Sequence, residues 1–298
     1  MRSLIASTVV AMTAFAANSL LARLALGAHS IDAASYTAIR ILSGAVFLYL
    51  IARQKPGAEK TDRKLEGNWL AAAALFVYAI AFSYAYLALG AATGALILFS
   101  SVQATMISWS LAQGTRPSSG EIIGFALAFV GFVWLVLPGV DRPDPWSSLL
   151  MVLSGISWGV YTLKGRSSSS PLVDTAGNFM RAGAFCVPLA LFAYSTANLS
   201  VEGVSLALAS GIVASGLGYA VWYLALQALS TFQAALVQLS VPVIAAAGAI
   251  LLLGEALTLR FAAVSIVVLG GIALAITSKQ RKLTGSRPLT ESSGDQPK

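Results

Sequence analysis

The sequence predicts an all-α integral membrane protein: ten transmembrane helices in two inverted five-helix repeats. Three observations lead there. Of 298 residues, 57% are apolar and 10% charged, whereas soluble domains carry about 25% charge. Ten apolar runs recur, at about 3–24, 33–52, 68–89, 92–112, 119–138, 146–165, 173–195, 204–226, 231–253 and 259–278, each near the roughly 20 residues that cross a bilayer as a helix. The second half also repeats features of the first, about 141 positions on. This divides the chain into a first repeat (1–139), a second repeat (140–278) and a polar tail (279–298) expected to be disordered and cytoplasmic.

The runs differ in what they carry. The first, behind Arg2, holds Phe15 and Asn18. Ala14-Phe15-Ala16 looks like a signal-peptidase site, but the repeat needs this run as its first helix. The second run holds Arg40. The third holds Tyr78, Phe82 and Tyr86 at i, i+4 and i+8, one face of a helix. The fourth holds Phe99 and Gln103, and the fifth Gly131. Run six contains Gly155-x-x-x-Gly159, a spacing that permits close helix approach, with Trp158 and Tyr161. Run seven holds Arg181. Run eight has Ser215, Tyr219 and Tyr223 where run three has its aromatics. Run nine has Gln238 and, four residues on, Pro242, which should kink the helix and offer a hinge. Run ten carries Gly270-Gly271.

Charge placement sets the orientation. With the N-terminus in the cytoplasm, fourteen of the nineteen basic residues lie inside: Arg2, five from Arg53 to Lys64, Arg116, Lys164, Arg166 and five in the tail. Only Arg23, Arg142 and Arg260 lie outside. This positive-inside bias predicts both termini in the cytoplasm of a multi-pass protein of the plasma (inner) membrane. The net charge of +7 is therefore no sign of nucleic acid.

Register matches tie the halves together. Phe15 and Asn18 lie over Trp158 and Tyr161, Arg23 over Arg166, Arg40 over Arg181, Tyr86-Leu-Ala-Leu89 over Tyr223-Leu-Ala-Leu226, and Gly131 over Gly270. Five spans per half is an odd number, so the halves enter the membrane from opposite sides. Inverted repeats are a hallmark of secondary transporters.

These features resemble the ten-helix drug/metabolite transporter superfamily, EamA type. The likeness covers roughly residues 4–278 and rests on Phe15 and Trp158, on Arg40 and Arg181, and on Pro242, Leu253-Gly254-Glu255 and Gly270-Gly271. It implies export of small metabolites, often amino acids. The first half departs from the pattern, with Gln103 where Pro242 stands and Arg116 where Glu255 stands.

No carboxylate lies deep in a run; Asp32, Glu121, Asp174 and Glu255 sit near helix ends. This argues against a pump built on a central acid. Arg40 and Arg181 are the only charges within spans, about two turns in, and are expected to be structural, bonding carbonyls of neighbouring helices. Buried amides need partners or water, so Asn18, Gln103, Tyr161 and Gln238 suggest a central cavity. The substrate-binding set is Phe15, Asn18, Tyr78, Phe82, Phe99, Gln103, Trp158, Tyr161, Tyr219 and Gln238. Tyr86 and Tyr223 are expected in the interfacial belt, and Cys186 in packing.

The predicted function is secondary transport, an exporter of amino acids including aromatic or other apolar ones. The alternatives are a membrane-embedded enzyme acting on a hydrophobic substrate, or export of other metabolites or drugs. One histidine, one cysteine and no HExxH motif argue against an enzyme. The partners expected are a small-molecule substrate and the bilayer. No cofactor, metal or nucleic acid is expected, and the chain is expected to be monomeric.

Overall fold

The computed structural model describes residues 2–54, 66–89, 91–137, 143–253 and 258–285. Its helices follow the apolar runs: α1 Arg2–Gly27, α2 Ala33–Gln54, α3 Trp69–Ala85, α4 Ala91–Ala112, α5 Ser119–Val136, α6 Pro145–Gly165 and α7 Pro171–Ala193. Then come α8 Val201–Leu226, α9 in two pieces, Thr231–Val237 and Ser240–Leu253, and α10 Leu259–Gly285. Nine of the described helices are long and apolar enough to span a membrane; α3, with 17 residues, is shorter.

Polar residues at the ends of the runs act as caps. Asn68 accepts from the Ala71 N–H at the start of α3, and Asp144 does the same for Ser147 ahead of Pro145. Ser118 with Glu121, and Ser230 with Gln233, form reciprocal capping boxes on α5 and α9, each satisfying otherwise unpaired N–H groups. The acids at helix ends thus have local work, as at Asp32, whose carboxylate accepts from the Ser35 N–H.

α10 continues seven residues past the predicted boundary, to Gly285. Residues 279–285 include Lys, Gln, Arg and Leu, all good helix formers, so this part of the expected disordered tail is helical. Residues 286–298 lie outside the described part, as do Gly254 and Glu255.

Helix contacts come in matched pairs. α3 packs on α6 as α1 packs on α8; α4 on α6 as α9 on α1; α3 on α7 as α8 on α2. The pairs α2–α7, α4–α9 and α5–α10 complete the set. Exchanging each helix with the one five places away maps this pattern onto itself. Small residues allow the closest approaches. A Cβ on Gly124 would lie 2.5 Å from the Gly271 carbonyl, and one on Gly271 2.6 Å from that of Gly124, while one on Gly155 would lie 2.6 Å from that of Leu98.

The outer surface is apolar, as lipid demands. Trp69, Trp109, Trp134 and Trp146 are exposed near helix ends, where interfacial belts form. Tyr223 does not join them. It is fully buried against Gly165, with its hydroxyl donating to the Tyr161 carbonyl at 3.1 Å. Its helix turns inward toward α6, so position near a span end did not bring exposure. Tyr86 is half-buried on the Phe82 ring. Cys186 is buried, as expected of a packing residue.

Candidate functional site

A cavity of about 30 Å³ lies where α1, α3, α4, α6, α8 and α9 converge. It has room for two or three waters. Its walls are Phe15, Asn18 and Ser19 from α1, Tyr78 and Phe82 from α3, Leu98 and Phe99 from α4, Trp158 from α6, Tyr219 from α8, and Gln238 and Val241 beside the break in α9. Eight of the ten expected substrate-binding residues line it.

Aromatic rings make most of the wall. Phe15 meets Trp158, Tyr219 and Trp222 edge to face at 5.2, 5.6 and 5.8 Å between centroids. Trp158 lies 4.9 Å from Tyr78 and 4.8 Å from Tyr219. Edge-to-face geometry suits the ring quadrupoles, so these side chains hold one another in place.

The polar groups on the wall are largely occupied. Gln238 accepts from the Trp158 indole N–H at 2.6 Å and donates to the Ala234 carbonyl at 3.0 Å. It therefore orients Trp158. Asn18 Oδ1 accepts from the Ser210 hydroxyl at 2.7 Å.

Two expected residues lie elsewhere. Gln103 donates from Nε2 to the Ala235 carbonyl at 2.8 Å. The reason lies in α9. Pro242 lacks an N–H, and its ring conflicts with the carbonyl four residues earlier, that of Gln238. The helix breaks there, and Gln238, Leu239 and Val241 bond three residues back, to Ala235, Leu236 and Gln238. Gln103 thus braces backbone at the break. The kink expected at Pro242 takes the form of an interruption at Gln238 and Leu239. Tyr161 stands behind the wall, its ring between Tyr219 and Tyr223 at 6.1 and 5.4 Å, fully buried.

Sequence reasoning missed Ser19, Leu98 and Val241. Each adjoins a residue already singled out or lies one helical turn from one, which was the available signal.

Arg40 is 1% exposed directly behind the wall. Its Nε donates to Ser215 Oγ at 2.8 Å, and its Nη2 to the hydroxyls of Tyr219 at 2.7 Å and Tyr78 at 3.2 Å. Its expected partners were carbonyls; the structure supplies hydroxyls. A π-helical stretch, Ser210–Leu217, runs through α8 at this level and contains both Ser210 and Ser215. Such stretches are frequent at functional sites. Gly211 within it lets α8 close on α2, since a Cβ there would collide with the Arg40 carbonyl.

Arg181 is half-buried and reaches back along α7 to the carbonyls of Gly177 at 3.0 Å and Glu66 at 2.7 Å. There it joins a clamp between the α3 entrance and α7, where the Asn68 N–H donates to Asn178 Oδ1 at 2.9 Å.

A second clamp closes the opposite end. Ile31 and Leu199 form an antiparallel bridge. The Asn198 N–H donates to Asp32 Oδ2 at 3.0 Å, and the Asp32 N–H to the Asn198 carbonyl at 3.1 Å. Partial burial opposes ionisation of Asp32, but the donors Ser35 and Asn198 prevail and hold its carboxyl below the usual range.

Comparisons with known proteins agree with this architecture. The EamA-like transporter family model matches residues 145–277, the segment of α6 to α10. An uncharacterized protein of Pseudomonas aeruginosa is 50% identical over 274 residues, covering 91% of this chain and 94% of that protein. An uncharacterized transporter of Archaeoglobus fulgidus is 27% identical over 231 residues, 72% of this chain and 78% of its own. A crystal structure of a protein 16% identical superposes with a TM-score of 0.76, over 93% of this chain and 99% of that one. At that identity the likeness concerns the fold alone.

Proposed function

This chain belongs to the EamA-like transporter family, and from that membership we propose that it exports amino acids, aromatic and other apolar ones foremost, by alternating access between two inverted repeats. At the coarser level it is a multi-pass membrane transporter of small molecules.

The observation that carries the finer reading is the cavity, walled by helices from both halves and lined by rings with a few polar groups. Such a lining suits an apolar body with a polar head. At about 30 Å³ it is too small for an amino acid, and clamps are formed toward both ends. In this reading the cavity must widen to admit substrate, and the break in α9 at the cavity wall is a natural place for it to open. The matched helix contacts support the inverted repeat. In this reading Arg181 is a structural tie and Arg40 holds α2 to α3 and α8. The protein works as a monomer in the inner membrane, with both termini cytoplasmic, as the basic residues suggest.

Counterflow in proteoliposomes tests this. Saturable exchange of labelled phenylalanine or leucine supports amino-acid transport. Flux confined to other metabolites removes the amino-acid claim, ion conductance would indicate a channel, and a chemically altered substrate would indicate an enzyme. Reporter fusions at Thr61 and at the C-terminus should both read cytoplasmic; an external signal at either breaks the topology.

A further inference from the structure

Arg40 carries a full positive charge in the core, and no carboxylate among the described residues pairs with it. Its Nη1 has no hydrogen-bond partner. A guanidinium stays charged wherever it lies, and a buried charge without a counter-charge is costly. Neutral hydroxyls could tie helices together without that cost, so the charge itself asks for a use.

The two tyrosines supply the route. Tyr78 and Tyr219 both line the cavity, and both accept from Arg40 through their hydroxyl oxygens. Tyr219 also lies within hydrogen-bond reach of the Tyr78 and Ser215 hydroxyls, and the hydroxyl protons can rotate toward a stronger acceptor in the cavity. A hydroxyl polarised by a cation is a stronger donor. The Gln238 side chain and Asn18 Oδ1 are engaged, which leaves the Asn18 amide N–H as a further, uncharged donor on the wall. No acid lines the cavity to receive an ammonium group.

We propose that the cavity recognises its substrate by a carboxylate, received by the Tyr78 and Tyr219 hydroxyls with Arg40 supplying charge from behind, and that a substrate amine is dispensable. This rests on the transporter reading of the same cavity and narrows it to carboxylates. The surrounding rings take the apolar body. Arg40 acts through the tyrosines and is a positioning residue.

The test uses three compounds sharing a phenyl ring and a short chain: 3-phenylpropionate, phenylalanine and 2-phenylethylamine. Affinity is read from the thermal midpoint of the purified full-length protein against ligand concentration. The first two should bind within a few-fold of each other, and the amine about tenfold or more weakly. Tyr78→Phe and Tyr219→Phe keep ring and volume; each should weaken the two carboxylates about tenfold and leave the amine unchanged. Arg40→Lys should retain part of the preference for carboxylates and Arg40→Met should lose it. If Arg40→Met does not fold, the tyrosine variants decide.

Equal or better binding of the amine, or equal weakening of all three compounds by the tyrosine variants, overturns the proposal. Binding of 3-phenylpropionate without phenylalanine leaves the proposal standing and removes the amino-acid reading. Binding of phenylalanine and the amine without 3-phenylpropionate does the reverse. No shift with any compound overturns both.

Discussion

Arg40 and Arg181 stand at matching positions of the two halves, yet the fold uses them in opposite ways. Arg40 is sealed behind the cavity among three hydroxyls. Arg181 is only half-buried and binds the Glu66 carbonyl at the α3 entrance. The cause is the neighbouring helix. In α8 the matched face reads Ser215, Tyr219, Tyr223; in α3 it reads Tyr78, Phe82, Tyr86. Phe82 stands where Tyr219 stands and can accept no hydrogen bond. Repetition therefore supplied the scaffold, and single substitutions within it gave one half the charge at the centre. α4 and α9 diverge likewise: Pro242 breaks α9, while Gln103 at the matching place leaves α4 continuous and braces the break.

The largest effect should separate the two arginines. Arg40→Met leaves buried hydroxyls unsatisfied and should cost about 2–4 kcal/mol of stability. Arg181→Met removes bonds at a half-buried site where water can replace them, and should cost about 0.5–1.5 kcal/mol. Thermal midpoints and folded yield in the membrane measure both, and equal losses would erase the distinction.

Next comes the contrast between α4 and α9. Pro242→Ala lets the hydrogen-bond ladder close over the break. Turnover should fall several-fold while the thermal midpoint holds or rises, as expected when a hinge is stiffened. Unchanged turnover would mean that the break is static.

A finer contrast lies in the wall. Trp158→Ala should slow transport of large apolar substrates more than small ones. Because Gln238 is bonded to Trp158, Gln238→Ala should act largely through that ring. The double variant should then show a coupling of about 1 kcal/mol in a mutant cycle. Additive losses would mean that Gln238 binds substrate independently.

The smallest effect concerns the two clamps. The lowered folded-state value of Asp32 means that its carboxylate adds stability above its unfolded value, near 3.8. That contribution fades as the pH falls through the lower folded value. Asp32→Asn should flatten this acid limb in a pH series of thermal midpoints. An unchanged limb would show that the Asn198 clamp holds without the charge.

Much of the site was legible because helical period and burial act locally. An apolar run fixes a span, spacing of three or four fixes a face, and a polar residue deep in the run must turn inward. Asn18, Tyr78, Trp158, Tyr219 and Gln238 meet that rule, and Phe15, Phe82 and Phe99 share their helix faces. Gln103 and Tyr161 meet it too, and both turn inward, but to other partners. Period gives the direction of a side chain without naming what stands opposite.

By itself, the sequence determined the spans, the break in α9 and the positions of the charges within the membrane. Each follows from the cost of leaving backbone polar groups unpaired in hydrocarbon or from proline's missing donor. Only the tertiary structure decided that Gln238 holds Trp158, that Gln103 reaches Ala235, and that Arg40 lies between Tyr78 and Tyr219 while Arg181 ties α7 to the α3 entrance. These depend on hydrogen bonds between residues 38 to 179 positions apart, whose geometry is set when the helices pack and is encoded in no local pattern.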